Sequence, residues 1–192
     1  MRHVKKAIQV FVIFSVLCGL VYPLGMTLIS QFLFPQKSNG SIIISGNQVL
    51  GSELIGQMFK SPKYFHGRPS ATDPAYNASA SGGSNSCPSN AKFIGEVKKR
   101  LERVRHENGL PSHVPIPADL VLASASGLDP HISAESAMVQ VKRIAKERGL
   151  SESEVKEMVS QYIEHRLLGI WGQPRVNVLK LNLAMDKLKR EK

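Results

Sequence analysis

The chain has 192 residues, 42% of them hydrophobic and 21% charged, enough for one domain plus an additional element and too apolar for disorder throughout. Its formal charge of +10 suggests an anionic partner. The bases are spread over predicted helix faces without a zinc finger or a basic–aromatic motif, which argues against nucleic acid.

The N-terminus reads MRHVKKAIQVFVIFSVLCGLVYPLGMTLISQFLFPQK. No charged side chain stands between Lys6 and Lys37. Roughly 28 residues, Ala7 to Phe34, would make a helix about 42 Å long, and a bilayer core needs only about 20. Pro23 and Gly25 permit a kink. A removable signal peptide fits less well, because no small-x-small pair or lipoprotein-type site surrounds Cys18. Arg2, Lys5 and Lys6 precede the span and only Lys37 follows closely, so residues 1–6 are expected in the cytoplasm, 7–34 in the membrane and 35–192 outside. Cys18 would then lie in the membrane and Cys87 beyond it, so an internal disulfide is not expected.

Beyond the span, residues 41–59 predict a strand, a Gly46-Asn47 turn, a second strand and a helix capped by Ser52 that carries Leu54, Ile55, Met58 and Phe59. Tyr64 and Phe65 are expected in the core. Residues 68–90 (RPSATDPAYNASASGGSNSCPSN) then contain no Val, Ile, Leu, Met, Phe or Trp, and so long a coreless stretch is usually functional or disordered. Residues 88–109 predict a helix capped by Ser89, with Phe93, Val97, Leu101 and Val104 inward and a stop at Asn108-Gly109. Its Lys98, Lys99, Arg100, Arg103 and Arg105 read as a solvated face. A strand is expected near Leu120–Ala123. Ser133 should cap a helix burying Ala137, Val141, Ile144 and Ala145 and ending at Gly149. Ser151 and Glu154 form a capping box for the next, with Val155, Met158, Val159, Tyr162 and Ile163 inward. A short strand at Val176 to Val178 leads into a closing helix expected to fray in its basic tail. The whole predicts an α+β class: one transmembrane helix followed by one mixed α/β extracytoplasmic domain.

Chemical motifs are weak. Ser124, Ser126, Asp129 and His131 supply the residue types of a serine hydrolase, but they crowd one loop, and no G-x-S-x-G elbow is present. A hydrolase using Ser126 or Ser124 with His131 stands as the alternative reading. Gly82-Gly83 lacks the lysine of a phosphate-binding loop. The histidines show no metal-ligand spacing, and the glycosylation-like triplet at Asn77 is too short to carry weight.

Three segments carry a resemblance: YFHGRPSATDPAYNASASGGSNSCPSN (64–90), PADLVLASASGLDPHIS (117–133) and LLGIWGQPRVNVLKLNLAMD (167–186). In this order they closely resemble the C subunit family of the Kdp potassium-transporting ATPase. Ser86-Cys87 departs from the Leu-Gly usual in the family, and Trp171 is expected to fill a core position. The resemblance implies a non-catalytic accessory subunit of an ATP-driven potassium importer in the inner (plasma) membrane. Its partners would be a potassium-binding pore subunit, a P-type catalytic subunit and membrane lipid. It also implies a higher ATP affinity of the catalytic subunit, with direct nucleotide contact as one version. The predicted topology opposes direct contact, because ATP is cytoplasmic. No bound cofactor or metal is expected. The implied interface is the loop pair holding Arg68, Pro69, Ser70, Tyr76, Asn77, Ser81, Gly82, Gly83, Ser84, Asn85, Pro88, Ser89 and Asn90, with Ser126, Gly127, Asp129, Pro130 and His131. The competing reading is that these glycines and serines only build turns within the domain.

Overall fold

The structure, a computed structural model, describes residues 2–188. The chain divides after Ser52 into two units. In the first, α1 (Arg2–Val16), a π-helical turn (Leu17–Val21) and α2 (Tyr22–Leu33) form one helix, Arg2–Leu33, long and apolar enough to cross a membrane. The π turn lies just ahead of Pro23, whose missing N–H interrupts the helical ladder; there Tyr22 N–H bonds Leu17 O. A short α3 (Pro35–Ser38) follows, then a hairpin of β1 (Ile42–Ser45) and β2 (Gln48–Ser52). Gly46 takes a positive φ of 59° at the first turn position, which matches the strands' twist in a two-residue hairpin. The register slips at Ile43/Ile44.

The second unit is built on α4 (Ala91–Asn108), β3 (His131–Ser133), α5 (Ala134–Arg148), α6 (Glu152–Gln161), β4 (Ile163–Glu164), β5 (Arg175–Asn177) and α7 (Val178–Leu188). The strands form an antiparallel sheet in the order β3-β5-β4. Phe65, Ile132, Val141, Ile144, Val155, Val159, Val176, Leu181 and Met185 make the main core. Val104, Leu120 and Val121 make a second cluster, with Val97 and Leu101 partly buried against it.

Helix boundaries follow the capping chemistry. Ser133 and Ser151 cap α5 and α6, the latter with Glu154 in a complete capping box. Gly109 and Gly149 close α4 and α5 in left-handed conformation. The expected fraying of the basic tail falls on residues 189–192, outside the described residues.

Five expectations are corrected. Residues 53–59 are not helical. Gly56 N–H donates to Leu128 O at 2.7 Å, a long-range bond that takes the place of a helical one, and a Cβ at Gly56 would sit 2.5 Å from the Tyr76 ring. Residues 120–123 form no strand: a 3-10 turn, Ala118–Leu120, returns the Val121 and Leu122 amides to Ala118 O, although Leu120 and Val121 are buried. The cap of α4 is Asn90, which accepts from Lys92 N and Phe93 N; Ser89 instead meets Cys87 Sγ at 3.0 Å. Trp171 fills no core position and is 60% exposed. The basic face of α4 is only partly solvated, since Arg100 and Arg105 reach the Val121 and Val114 carbonyls.

Candidate functional site: two crossed loops

Two polar amide side chains hold the start of the long loop. Asn182 on α7 accepts from Phe65 N (2.8 Å) and donates to Phe65 O (3.0 Å). Gln140 on α5 does the same to His66 N (2.8 Å) and O (3.0 Å). Both amides are buried to 1% exposure. They satisfy the backbone of an extended segment that has no strand partner, as buried polar groups require. Arg143, also buried, bonds Gln140 Oε1, Asn108 Oδ1 and the Pro62 and Tyr64 carbonyls. Burial lowers the His66 pKa, and the Arg143 charge adds to this; the Ser61 carbonyl and Glu107 oppose it.

From this base the first loop crosses the second. Arg68 donates to Asp129 Oδ2 at 3.1 Å and to the Ala123 and Leu122 carbonyls at 3.3 and 3.5 Å. Ser70 Oγ donates to Gly127 O (2.7 Å) and accepts from Tyr76 N (2.9 Å). Gly82 N and Ser81 Oγ both reach Ser126 O, at 2.9 and 3.0 Å. Tyr76 OH donates to Arg68 O; burial first and the Asp129 charge second push its pKa up to about 12, against Arg68. Gly127 sits at φ 69°, where a Cβ would meet Gly82 O at 2.7 Å and Thr72 Cγ2 at 2.8 Å. Only glycine fits that crossing.

The second loop is tied to the sheet beneath. Asp129 Oδ1 accepts from His131 N at 3.0 Å. Burial alone would raise the Asp129 pKa; the His131 hydrogen bonds and the Arg68 charge outweigh it and lower it. Pro130 O accepts from Val178 N at 3.0 Å, the junction of β5 and α7. His131 places Nδ1 3.5 Å from Asp129 and Nε2 3.5 Å from Glu164.

The candidate residues therefore separate into two groups. Arg68, Pro69, Ser70, Tyr76, Asn77, Gly82, Gly83, Gly127, Asp129, Pro130 and His131 are buried or half-buried, and most of their polar groups are used within the domain. Ser81, Ser84, Asn85, Pro88, Ser89, Asn90 and Ser126 are exposed. Ser84 to Asn90 form an outward arm between the crossing and α4. On it, hydrogen bonds from Ser89 hold the Cys87 thiol below its ordinary pKa. Cys18 and Cys87 are both free.

The geometry does not assemble the hydrolase alternative. Ser124 Oγ accepts from Gly127 N at 3.0 Å and Ser126 Oγ from Leu128 N at 3.1 Å. Among the described residues neither hydroxyl bonds His131, so the serines close a turn and no nucleophile–base pair forms. Gly82 N–H is likewise spent on Ser126 O, which disfavours an anion cradle there.

A cleft of about 350 Å³ lies beside the first loop, lined by Lys60, His66, Arg68, Tyr76, Arg103 and Glu107 among others. A second, of about 320 Å³, lies at Arg68, Asp119, Asp129, His131 and Arg175. Gln140, Arg143, Asn182 and Gly56 lie outside the segments that the sequence marks as candidate sites. The available signal was a polar amide interrupting an apolar helix face, between Ala137 and Val141 and beside Leu181.

Comparison with known proteins places the chain. Residues 4–187 match the family model described as KdpC: K+-transporting ATPase, c chain. Three relatives, each described as a potassium-transporting ATPase KdpC subunit, show similar likeness. That of Dechloromonas aromatica is 49% identical over 97% of each chain. That of Caldanaerobacter subterraneus subsp. tengcongensis is 50% identical over 100% of this chain and 98% of the relative, and that of Methylococcus capsulatus 49% over 98% and 99%. With the match running from the N-terminal helix through both crossed loops to α7, the chain belongs to the KdpC family, the c chain of the K+-transporting ATPase.

Proposed function

We propose that this chain is a non-catalytic accessory subunit that holds the potassium-binding pore subunit and the P-type catalytic subunit in one complex. Its N-terminal helix spans the inner (plasma) membrane with the N-terminus in the cytoplasm, and the rest of the chain lies on the extracytoplasmic side. The charge asymmetry, Arg2, Lys5 and Lys6 against Lys37, supports this orientation.

One observation carries the reading. The crossed loops spend most of their buried polar groups on themselves and each other, leaving an exposed polar arm from Ser84 to Asn90 that is held by its own hydrogen bonds. A partner docking on this arm meets a preformed surface and loses little conformational entropy on binding. Serine catalysis, by contrast, would need a hydroxyl paired with a base, and the Ser124 and Ser126 hydroxyls accept from the backbone amides of Gly127 and Leu128.

Any rise in ATP affinity then reaches the catalytic subunit as a coupling free energy between separate sites, without nucleotide touching this domain. The test is co-purification of the tagged chain from membranes. Ser84→Trp with Ser86→Arg, both at exposed positions, should remove the larger subunits from the pull-down while leaving the thermal melt unchanged. Full co-purification of this double variant would refute the arm as an interface.

A further inference from the structure

The β4–β5 connection ends in a tip whose apolar side chains are left in the open. Leu167, Leu168, Ile170 and Trp171 are 69%, 78%, 70% and 60% exposed. The tip is nonetheless a closed turn: Leu167 N donates to Trp171 O at 2.8 Å, and Trp171 N returns a bond to Leu167 O at 3.1 Å. Leu168 adopts φ 52° and Gly169 φ 74°, the left-handed values of a tight reversal. Elsewhere beyond Ser52 the exposed large hydrophobics are Leu54, Met58, Ile94 and Met138, scattered in the way ordinary surfaces show. A cation stands at the base of the turn, where Arg166 bonds Gln173 at 3.0 Å.

We infer that this tip is a bilayer-docking element, which inserts its aliphatic side chains and Trp171 at the lipid–water interface and sets Arg166 among anionic headgroups. Three arguments select lipid over a protein pocket. Tryptophan beside aliphatic residues with a cation at the rim is the composition of an interfacial anchor. The chain also carries its own helix long and apolar enough to cross a membrane, so a bilayer surface is present at high effective concentration and weak insertion is sufficient. Finally, four side chains on one turn fall short of the about 800 Å² per partner of a standard protein interface.

The inference rests on the membrane anchoring proposed above, and the experiment separates the two. Trp171 is the chain's single tryptophan, so in discs whose scaffold protein lacks tryptophan its emission reports the tip alone. The full chain is placed in nanodiscs of phosphatidylcholine with about one third phosphatidylglycerol, with plain or acyl-chain-brominated lipid. Bromination should cut Trp171 emission by about half or more, as for an indole at the acyl boundary, while aqueous iodide quenches little. Purely zwitterionic discs should show weaker bromine quenching. The double variant Leu168→Asn, Ile170→Ser should recover emission and gain iodide access; asparagine tolerates the left-handed φ, so the turn is retained. Emission indifferent to bromine overturns the inference, whether Trp171 is open to iodide or becomes shielded only when the larger pump subunits are added, the latter assigning the tip to protein. A chain that fails to enter the discs removes the anchor and this reading with it.

Discussion

Replacing Asn182 with leucine tests whether buried amides, rather than the loop's own sequence, set the path of the long coreless segment. In the wild-type chain the Asn182 side chain satisfies both Phe65 N–H and Phe65 O, at 2.8 and 3.0 Å, in a site 1% exposed. Leucine keeps the branching and the number of side-chain heavy atoms but is bulkier, so no cavity results; the loss comes from unpaired backbone groups, with some overpacking. Two backbone groups lose their partners, and each such buried group costs about 1–3 kcal/mol. The added apolar surface returns about 1–2 kcal/mol at most. The net expectation is a loss of about 2–4 kcal/mol, or a fall in melting temperature of about 4–16 °C. Thermal unfolding of the full chain by circular dichroism reads the global effect. Amide exchange at Phe65 reads the local one and should lose its protection. Asn77→Ala is the control: it removes the cap of an exposed 3-10 turn and should cost about 1 kcal/mol or less. If Asn182→Leu melts within about 2 °C of wild type with Phe65 still protected, the amide clamp is not what orders the loop.

Two further outcomes follow from the same geometry. Gly127→Ala places a Cβ 2.7 Å from Gly82 O and 2.8 Å from Thr72 Cγ2 at a left-handed φ, so it should cost at least about 2 kcal/mol; calorimetry measures this, and protease nicking within residues 70–86 should rise. The His66 pKa is lowered from 6.5 in the folded state, by burial first and the Arg143 charge second, so the unfolded chain binds the extra proton below pH 6.5. Stability from this group is therefore full above pH 6.5 and is lost as pH falls towards the folded value. Urea titrations across that window should show His66→Gln flattening the slope, and an unchanged slope would contradict the assignment.

What could be read from the residues was local. The starts of α5 and α6 depend on Ser133, Ser151 and Glu154, whose partners stand three positions away, and the end of α5 on Gly149. Apolar periodicity placed Val141, Ile144, Val155 and Val159 correctly because helical facing repeats within a few residues. The errors are non-local. Leu54 to Phe59 have a helical apolar rhythm, but Gly56 is captured by Leu128 and Tyr76, far along the chain. Leu120 to Ala123 look like a strand, yet Asp119 binds Ser133 N and the Ser133 and Ser136 hydroxyls, and this contact is served by a turn. Large aromatic residues are usually inside, but the two-residue β4 and the tight turn leave Trp171 outside.

The same distinction accounts for the loop that contains no core former. Twenty-three residues without a large aliphatic side chain cannot be ordered by burial, so their order has to come from hydrogen bonds. Gross hydrogen-bond energy is offset by water, and each bond nets only about 1 kcal/mol. Many must therefore act together, and they must be anchored to something rigid. Here the anchors are Gln140, Arg143 and Asn182, held on helices whose other faces make the main core. The loop then adds Arg68, Ser70 and Gly82 as successive ties to the second loop, and Tyr76 as a tie within the first, to Arg68 O. Such a network suits the proposed docking role because hydrogen bonds to backbone leave serine, asparagine and glycine at the surface, where an apolar loop of equal rigidity would have had to bury its side chains. It also carries a vulnerability that an apolar core lacks: removing one anchor orphans several polar groups at once, so substitutions at Gln140, Arg143 or Asn182, none of them on the loop, should disturb docking more than substitutions at most positions on the loop itself.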